Sequence, residues 1–345
     1  MAEDFSTVQL AHGSGGRLSQ QLLTELLLPV LGPPSGIVHD AARWSAPGSE
    51  LAFTTDSYVV QPLFFPGGDI GRLAVFGSVN DLCMAGARPL ALSLGLILEE
   101  GLQLSCLQQV IASIADACAQ CGVSVITGDT KVVERGKGDG VFINTSAIGV
   151  VDHGLQIHPS SVRPGDAVLV SGDLGRHGVA ILAARNQLGL RTALESDLAS
   201  LQQPVQALLE SGLELHCLRD LTRGGLASAV DELARASGCS MVLEDSAIPL
   251  HPTVEAACDL LGLDPLAMAN EGRMVVICPE SQAAQTLTVL KAFQGDAARI
   301  GTVLERSRGD GVGALQQRYP VQLRSALGVL RPLDISSSEQ LPRIC

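Results

Sequence analysis

Residues 51–82, LAFTTDSYVVQPLFFPGGDIGRLAVFGSVNDL, read as a strand, a tight turn and a helix in direct succession, and no other stretch constrains the fold as much. Leu51 to Thr55 is apolar and β-prone and ends on Asp56, which predicts a carboxylate at a strand end facing a cleft. A Pro-Gly-Gly turn leads to Asp69, a residue type that caps helices, after which Ile70, Leu73, Phe76 and Val79 recur at helical spacing. This helix carries Asn80 and Asp81 in its last turns. Two acids aimed at one cleft, with no His or Cys beside them, form a hard oxygen donor set that suits Mg²⁺ and phosphate better than zinc. On pattern alone the plainer reading, a turn residue and a solvated helix residue, stays open beside it.

A chain of 345 residues, 46% hydrophobic and 17% charged, predicts about two well-buried domains. Its 23 basic and 36 acidic residues give a net charge of −13, and no basic stripe interrupts the acidity. Nucleic acid and anionic membrane surfaces are therefore poor partners. The acidic, polar MAEDFSTVQLAHGSGG lacks the basic and apolar regions of an export signal, and no apolar run is long enough to span a bilayer. Nine cysteines, an odd number, then predict reduced thiols in the cytoplasm. Cys118 and Cys121 form a C-x-x-C late in a predicted helix over 105–122, which reads as core and surface thiols, not a redox or zinc pair.

In chain order, residues 1–41 hold a Gly-rich segment, His12-Gly-Ser-Gly-Gly-Arg17, and a helix on Leu18, Leu22, Leu23, Leu26 and Leu27 that Pro29 should stop. The glycines suit either a loop facing phosphate, with Arg17 adding charge, or a floppy leader. A first domain over 42–152 contains the opening stretch, a strand at Ala91–Leu98, the 105–122 helix, and a strand at Val123–Thr127 that delivers Gly128-Asp129-Thr130-Lys131 to its end. A polar loop over 134–140 and a strand at Val141–Val151 follow. A second domain over 153–305 starts at an Arg163-Pro-Gly-Asp turn. It includes the Gly-rich turn of Ser171–Gly178, and Asp220-Leu-Thr-Arg-Gly224-Gly225 ahead of a helical pattern on Leu226, Ala229, Val230 and Leu233. That second motif sets a carboxylate beside a helix N-terminus, an arrangement able to hold a phosphate and its metal. Glu271 falls just before a strand, where it either faces the cleft or ends a loop. Residues 306–345 form a charged, Pro-punctuated tail whose last 15 residues could reach roughly 50 Å at about 3.3 Å each. Cys345 at its end is either an incidental thiol or one delivered to a cleft.

FTTDSYVVQPLFFPGGDIGRLAVFGSVNDLCMAGARP, ITGDTKVV, SGDLGRHGVAIL, DLTRGGLA, MANEGR and the terminal PRIC together resemble a hydrogenase-maturation family. It belongs to the ATP-dependent superfamily that also contains aminoimidazole ribonucleotide synthetase and selenophosphate synthetase. The likeness runs from about His12 to Cys345. The resemblance implies a two-domain α/β (α+β) fold of the aminoimidazole ribonucleotide synthetase kind, with the first domains of two subunits pairing into a barrel-like homodimer and ATP lying between the domains. It places Asp56, Asp81 and Asp220 on magnesium-binding acids. Asp129, Lys131, Asn144 and Gly224 fall near the nucleotide.

The implied activity is ATP-dependent dehydration of a carbamoyl group on the chain's own Cys345, which supplies a cyanide ligand for the iron of nickel-iron hydrogenase. A separate carbamoyltransferase would load the thiol, and an iron-carrying maturation complex would accept the cyano group. Lys131 would offset phosphoryl charge, and Glu271 is the candidate proton acceptor. Two competing readings are a related synthetase or kinase acting on a free small molecule, as selenophosphate synthetase does, and a non-catalytic carrier. The Gly-rich N-terminus holds no Cys, which counts against the selenophosphate chemistry.

Overall fold

The computed structural model describes residues 6–9, 12, 21–31, 50–185, 192–305, 318–333 and 344–345. Their contacts divide the chain into two units, one of Met1–Leu82, Ala87–Asp152 and Arg343–Cys345, the other of Cys83–Gly86 and His153–Pro342. Both mix strands with helices, as the α/β expectation requires.

The first unit is built on a sheet of β1 (Glu50–Tyr58), β4 (Arg88–Glu99), β5 (Ser124–Val133) and β6 (Val141–Val151), in the order β1-β6-β4-β5. Between β1 and β4 lie a short pair, β2 (Phe64–Phe65) and β3 (Gly68–Asp69), and a helix at Ile70–Met84. Only β4 and β5 run parallel, and the crossover this demands is the helix at Leu104–Cys121. Near the N-terminus a π-type turn at Leu22–Leu27 continues into helix α1 (Leu28–Leu31), so the chain stays helical past Pro29. Pro29 lies inside this helical run, directly after the π-type turn, and so does not act as the stop the sequence suggested.

Alternation gives the sheet two unlike faces. Leu92, Leu94, Leu96, Leu98, Ile143, Thr145 and Ala147 point to one side and are buried. The helices at Ile70–Met84 (α2) and Leu104–Cys121 (α3) cover that side. Ser78 Oγ on α2 meets Thr145 Oγ1 at 2.6 Å, and Thr145 Oγ1 donates to the Ala74 carbonyl at 3.3 Å. α2 is buried on almost every side, and it approaches α3 so closely that a Cβ on Gly71 would stand 2.7 Å from the Val110 carbonyl oxygen. On the opposite face Leu51, Phe53 and Ile97 remain exposed.

The second unit holds a seven-stranded sheet in the order β13-β12-β9-β11-β7-β10-β8, from β7 (Asp166–Val170), β8 (Cys217–Asp220), β9 (Ser240–Glu244), β10 (Met274–Pro279), β11 (Ala298–Leu304), β12 (Val321–Arg324) and β13 (Leu330–Pro332). Its helices are α4 (Arg176–Ala184), α5 (Gln202–Glu210), α6 (Gly225–Ser237), α7 (Pro252–Leu261) and α8 (Ala283–Phe293). Leu226, Ala229, Val230 and Leu233 of α6 share one buried cluster with Val168, Leu243, Val275 and Ile300 of the strands. β12 and β13 lie in the stretch expected as tail. Val321 and Leu323, at 1% and 0% exposure, are buried as β12 pairs with β9, so the sheet takes up residues that composition alone set apart.

Asp69 fastens the start of α2. Its Oδ1 accepts the Gly71 and Arg72 N–H groups at 2.8 and 3.1 Å and the Ser113 hydroxyl of α3 at 2.6 Å. Asp69→Ala is therefore expected to lower the unfolding free energy by about 1–3 kcal/mol, from the lost cap and the stranded Ser113 hydroxyl, as read from urea denaturation.

Candidate functional site

In the first unit Thr54, Asp56 and Tyr58 point to the helix-covered face of β1, with Asp56 opposite Thr145 and Thr54 opposite Ala147. Asp56 is not at a strand end as expected, because β1 keeps its ladder with β6 out to the Tyr58–Ile143 pair. Asp81, one turn after Ser78 on α2, reaches the same strand: its Oδ2 accepts the Thr54 hydroxyl at 2.7 Å. Asp56 lies two residues further along that face, about 7 Å on. The two acids thus share one end of the α2–β1 contact. Thr54, which the sequence reading passed over, fixes the Asp81 carboxylate.

The donor chemistry fits Mg²⁺. Asp56 and Asp81 supply oxygen only, and among the described residues no three His, Cys, Asp or Glu side chains converge on a point by themselves. A divalent ion held here would complete its shell from water and phosphate oxygens, which is how Mg²⁺ is commonly bound.

Asp129, Lys131 and Asn144 stand on the other face. Register places Ser57, Asn144, Gly95 and Asp129 in one row across the sheet, and Phe142, Ile97 and Lys131 in the next. Asn144 Nδ2 donates to the Asp56 carbonyl at 2.8 Å and to Ser57 Oγ at 3.0 Å. Asp129 is two strand spacings away, about 10 Å. Lys131 Nζ lies 3.8 Å from Asp129 Oδ2, and both side chains are about 70% exposed, so the pair contributes little stability. These residues lie inside β5 and not at its end, because the Thr and Val residues around them keep pairing with β4 as far as Val133. The structure therefore groups Asp56 with Asp81, and Asn144 with Asp129 and Lys131, on opposite faces of one sheet.

The end of the chain belongs to this unit. Ile344 is 4% exposed, and the Cys345 carbonyl accepts the Val59 N–H at 3.2 Å, three residues beyond Asp56. His12 is also buried, its Nδ1 accepting the Gln9 N–H at 2.8 Å, whereas Gly13 to Arg17 lie outside the described residues.

In the second unit three loops meet around residues 268–273. Asp220 closes β8 with its side chain 11% exposed. Gly224 and Gly225 follow in left-handed conformation, φ 75° and 56°, and turn the strand into α6; a Cβ on Gly225 would stand 2.4 Å from the Met268 carbonyl oxygen. Asn270 ties the loops together: Oδ1 accepts the Gly175 N–H at 2.7 Å, while Nδ2 donates to the Leu221 and Met268 carbonyls at 3.1 and 3.0 Å. Arg273 donates to the Asp173 carbonyl at 2.9 Å and to its Oδ1 at 2.7 Å, and Arg176 takes the other carboxylate oxygen. Burial pushes the Asp173 carboxyl up, but the two guanidiniums outweigh it and hold it below its ordinary value of 3.8. Glu271, 3% exposed, sits at the centre of this cluster.

Residues 38–151 match the family model for AIR synthase related protein, N-terminal domain, and residues 163–313 match the corresponding C-terminal domain. The chain is 46% identical to carbamoyl dehydratase HypE of Rhodobacter capsulatus, with 100% of each covered. A solved hydrogenase maturation protein HypE in complex with ATP superposes with a TM-score of 0.91 at 45% identity, covering 98% of this chain and 100% of that one. A chain of a solved HypE-HypF complex does so with a TM-score of 0.77 at 40% identity, covering 83% and 90%. The chain belongs to the AIR synthase related family and, within it, to the HypE group.

Because the folded Asp173 carboxyl titrates below 3.8, its contribution to stability is complete above that pH and is lost as the pH falls beneath it. Arg273→Met, which leaves a 5%-exposed carboxylate with one guanidinium fewer, is expected to cost about 3–5 kcal/mol and to flatten this acid loss. Urea melts of both proteins at several pH values test the two effects.

Proposed function

We propose that this chain is an ATP-dependent carbamoyl dehydratase acting on its own last residue, and that the cyano group it makes becomes a ligand of hydrogenase iron. The observation that carries the reading is the seat of Cys345, hydrogen-bonded through its main chain to Val59, the residue that follows the strand bearing Asp56. A synthetase for free small molecules has no use for a terminal cysteine held there. The HypE relatives, similar over the whole chain, carry the same activity in their name.

The chemistry asks for little covalent work from the protein. In the carbamoylated thiol, S–C(=O)–NH₂, the oxygen is a poor leaving group. Attack of that oxygen on the γ-phosphorus of ATP releases ADP, and loss of one N–H proton gives a phosphorylated S–C(OPO₃)=NH. Breaking the C–O bond releases phosphate, the second N–H proton leaves, and S–C≡N remains. Glu271 accepts the proton, since a carboxylate near the amide nitrogen is the chemical need. Asp56, Asp81 and Asp220 would hold Mg²⁺, which offsets charge on the transferring phosphoryl group. Gly224 would add a nucleotide contact beside these acids, whereas Asp129, Lys131 and Asn144, on the opposite face of the sheet, would meet nucleotide only on that face.

A homodimer fits the open face of the first sheet. Leu51, Phe53 and Ile97 are exposed to 45%, 71% and 42%, an apolar face that a second copy would cover. A HypF-like partner would load the thiol, as the solved HypE-HypF complex suggests for the relatives. An iron-carrying maturation complex would accept the product. None of the nine cysteines is joined in a disulfide, which suits the cytoplasm. Among the described residues no helix is long and apolar enough to cross a membrane.

Intact mass spectrometry of the chain after incubation with carbamoylating partner and ATP should show a carbamoyl gain followed by loss of water. Cys345→Ala should give neither. Asp56→Asn and Asp81→Asn should accumulate carbamoylated chain, with dehydration slowed at least about 100-fold. Full dehydration in either Asn variant would overturn the metal assignment, and ATP-dependent turnover in Cys345→Ala would overturn self-modification.

A further inference from the structure

Between α4 and α5 the described chain runs through residues 192–201 without regular structure, yet it contains a carboxylate that is 6% exposed. Asp197 Oδ1 accepts the His177 N–H at 3.1 Å, and Oδ2 accepts the Glu271 and Gly272 N–H groups at 3.2 and 3.0 Å. Among the described residues no Lys or Arg pairs with it. A buried carboxylate without a counter-charge is costly unless its oxygens are satisfied, and here main-chain donors from two remote segments satisfy them.

These bonds act on one residue above all. The peptide before Glu271 is held by its N–H on Asp197. The peptide after it is held twice, through the Gly272 N–H on Asp197 and through the Glu271 carbonyl, which accepts the Ala199 N–H at 3.4 Å. Fixing both flanking peptide planes fixes the direction of the Glu271 Cα–Cβ bond. The approach is so close that a Cβ on Gly272 would stand 2.1 Å from the Asp197 carbonyl oxygen. Beside this clasp, His177 Nδ1 and Ser196 Oγ lie 2.8 Å apart, which ties the same segment to the first turn of α4.

We propose that Asp197 is a positioning residue of the dehydration: it fixes the direction of the Glu271 side chain and holds the Ser171–Gly178 turn in register with it. The proposal rests on the reading of Glu271 as proton acceptor. An amide in place of the carboxylate keeps the shape but must turn an N–H toward one of the three donors. A shift of about 1 Å at a proton acceptor slows catalysis by up to about 100-fold.

The test follows single-turnover thiocyanate formation by intact mass, starting from full-length chain carbamoylated on Cys345, at saturating ATP. It compares Asp197→Asn, Asp197→Ser, Glu271→Gln and the Asp197→Asn/Glu271→Gln double variant, with ATP affinity and melting temperature measured alongside. Asp197→Asn should slow dehydration about 10- to 100-fold with ATP affinity within about twofold of the parent, and should add nothing to the loss caused by Glu271→Gln. Wild-type dehydration in both Asp197 variants would overturn the proposal while leaving Glu271 in place. Losses that multiply in the double variant would overturn it too, since Asp197 would then act independently of Glu271. Wild-type dehydration by Glu271→Gln would remove the proton-acceptor reading itself.

Discussion

The contact between α2 and the covered face of β1 and β6 determines where the acids of the first unit stand. Ala74, Ser78 and Asp81 fall along one side of α2, and each meets a side chain on the sheet, Thr145 for the first two and Thr54 for the third. Short polar residues allow this helix to lie close. Gly77 does the same for Tyr58, whose hydroxyl oxygen would be 2.3 Å from a Cβ placed there. Because the helix cannot rotate without stranding the buried hydroxyls of Ser78 and Thr145, the Asp81 carboxylate is held against the Thr54 hydroxyl. The site is thus a by-product of packing only in its location; its donor set is a separate choice of residues.

The second unit solves a similar problem with charge. Its loop at 268–273 has little regular structure of its own and is threaded between the 171–178 turn, the 220–225 turn and the 194–199 segment. A buried ion pair adds little net stability compared with a well-packed apolar pair, because desolvation offsets most of the attraction. What Asp173 and Arg273 contribute is geometry: the guanidinium spans the Asp173 carbonyl, its carboxylate and the Gly272 carbonyl at 3.1 Å, and only one arrangement of the two loops satisfies all of them. Asn270 and Asp197 repeat the device with main-chain partners.

Elements with a strong apolar period were legible in the sequence. α2 begins at Ile70 behind its Asp69 cap, and α3 spans Leu104–Cys121 where the apolar period predicts a helix over 105–122. Strand ends were less legible, since they depend on how far a neighbouring strand continues. Asp56, Asp129 and Lys131 were read as strand-end residues and lie within ladders that β6 and β4 prolong. The faces followed from the same pairing: alternation along one strand says which residues share a side, but only the register between strands sets Asn144 with Asp129 and opposite Asp56. Asp197 left no trace in the sequence, because a carboxylate in an aperiodic segment has no pattern, and its partners are main-chain groups that any residue type possesses.

The terminal residue has a physical logic of its own. A thiol in the middle of a chain is held by two flanking peptides, whereas one at the end is tethered from a single side and can be presented to a loading enzyme and then returned. Returning it requires a seat. The seat includes the buried side chain of Ile344 and a main-chain bond to Val59. Burying an isoleucine side chain is worth about 1.5–3 kcal/mol and a net hydrogen bond about 1 kcal/mol. Against this stands the ordering of the last residues, at about 1–2 kcal/mol each for the backbone. The proposed activity therefore asks for a seat whose gains exceed this cost only slightly, so that the thiol can leave for a partner and return.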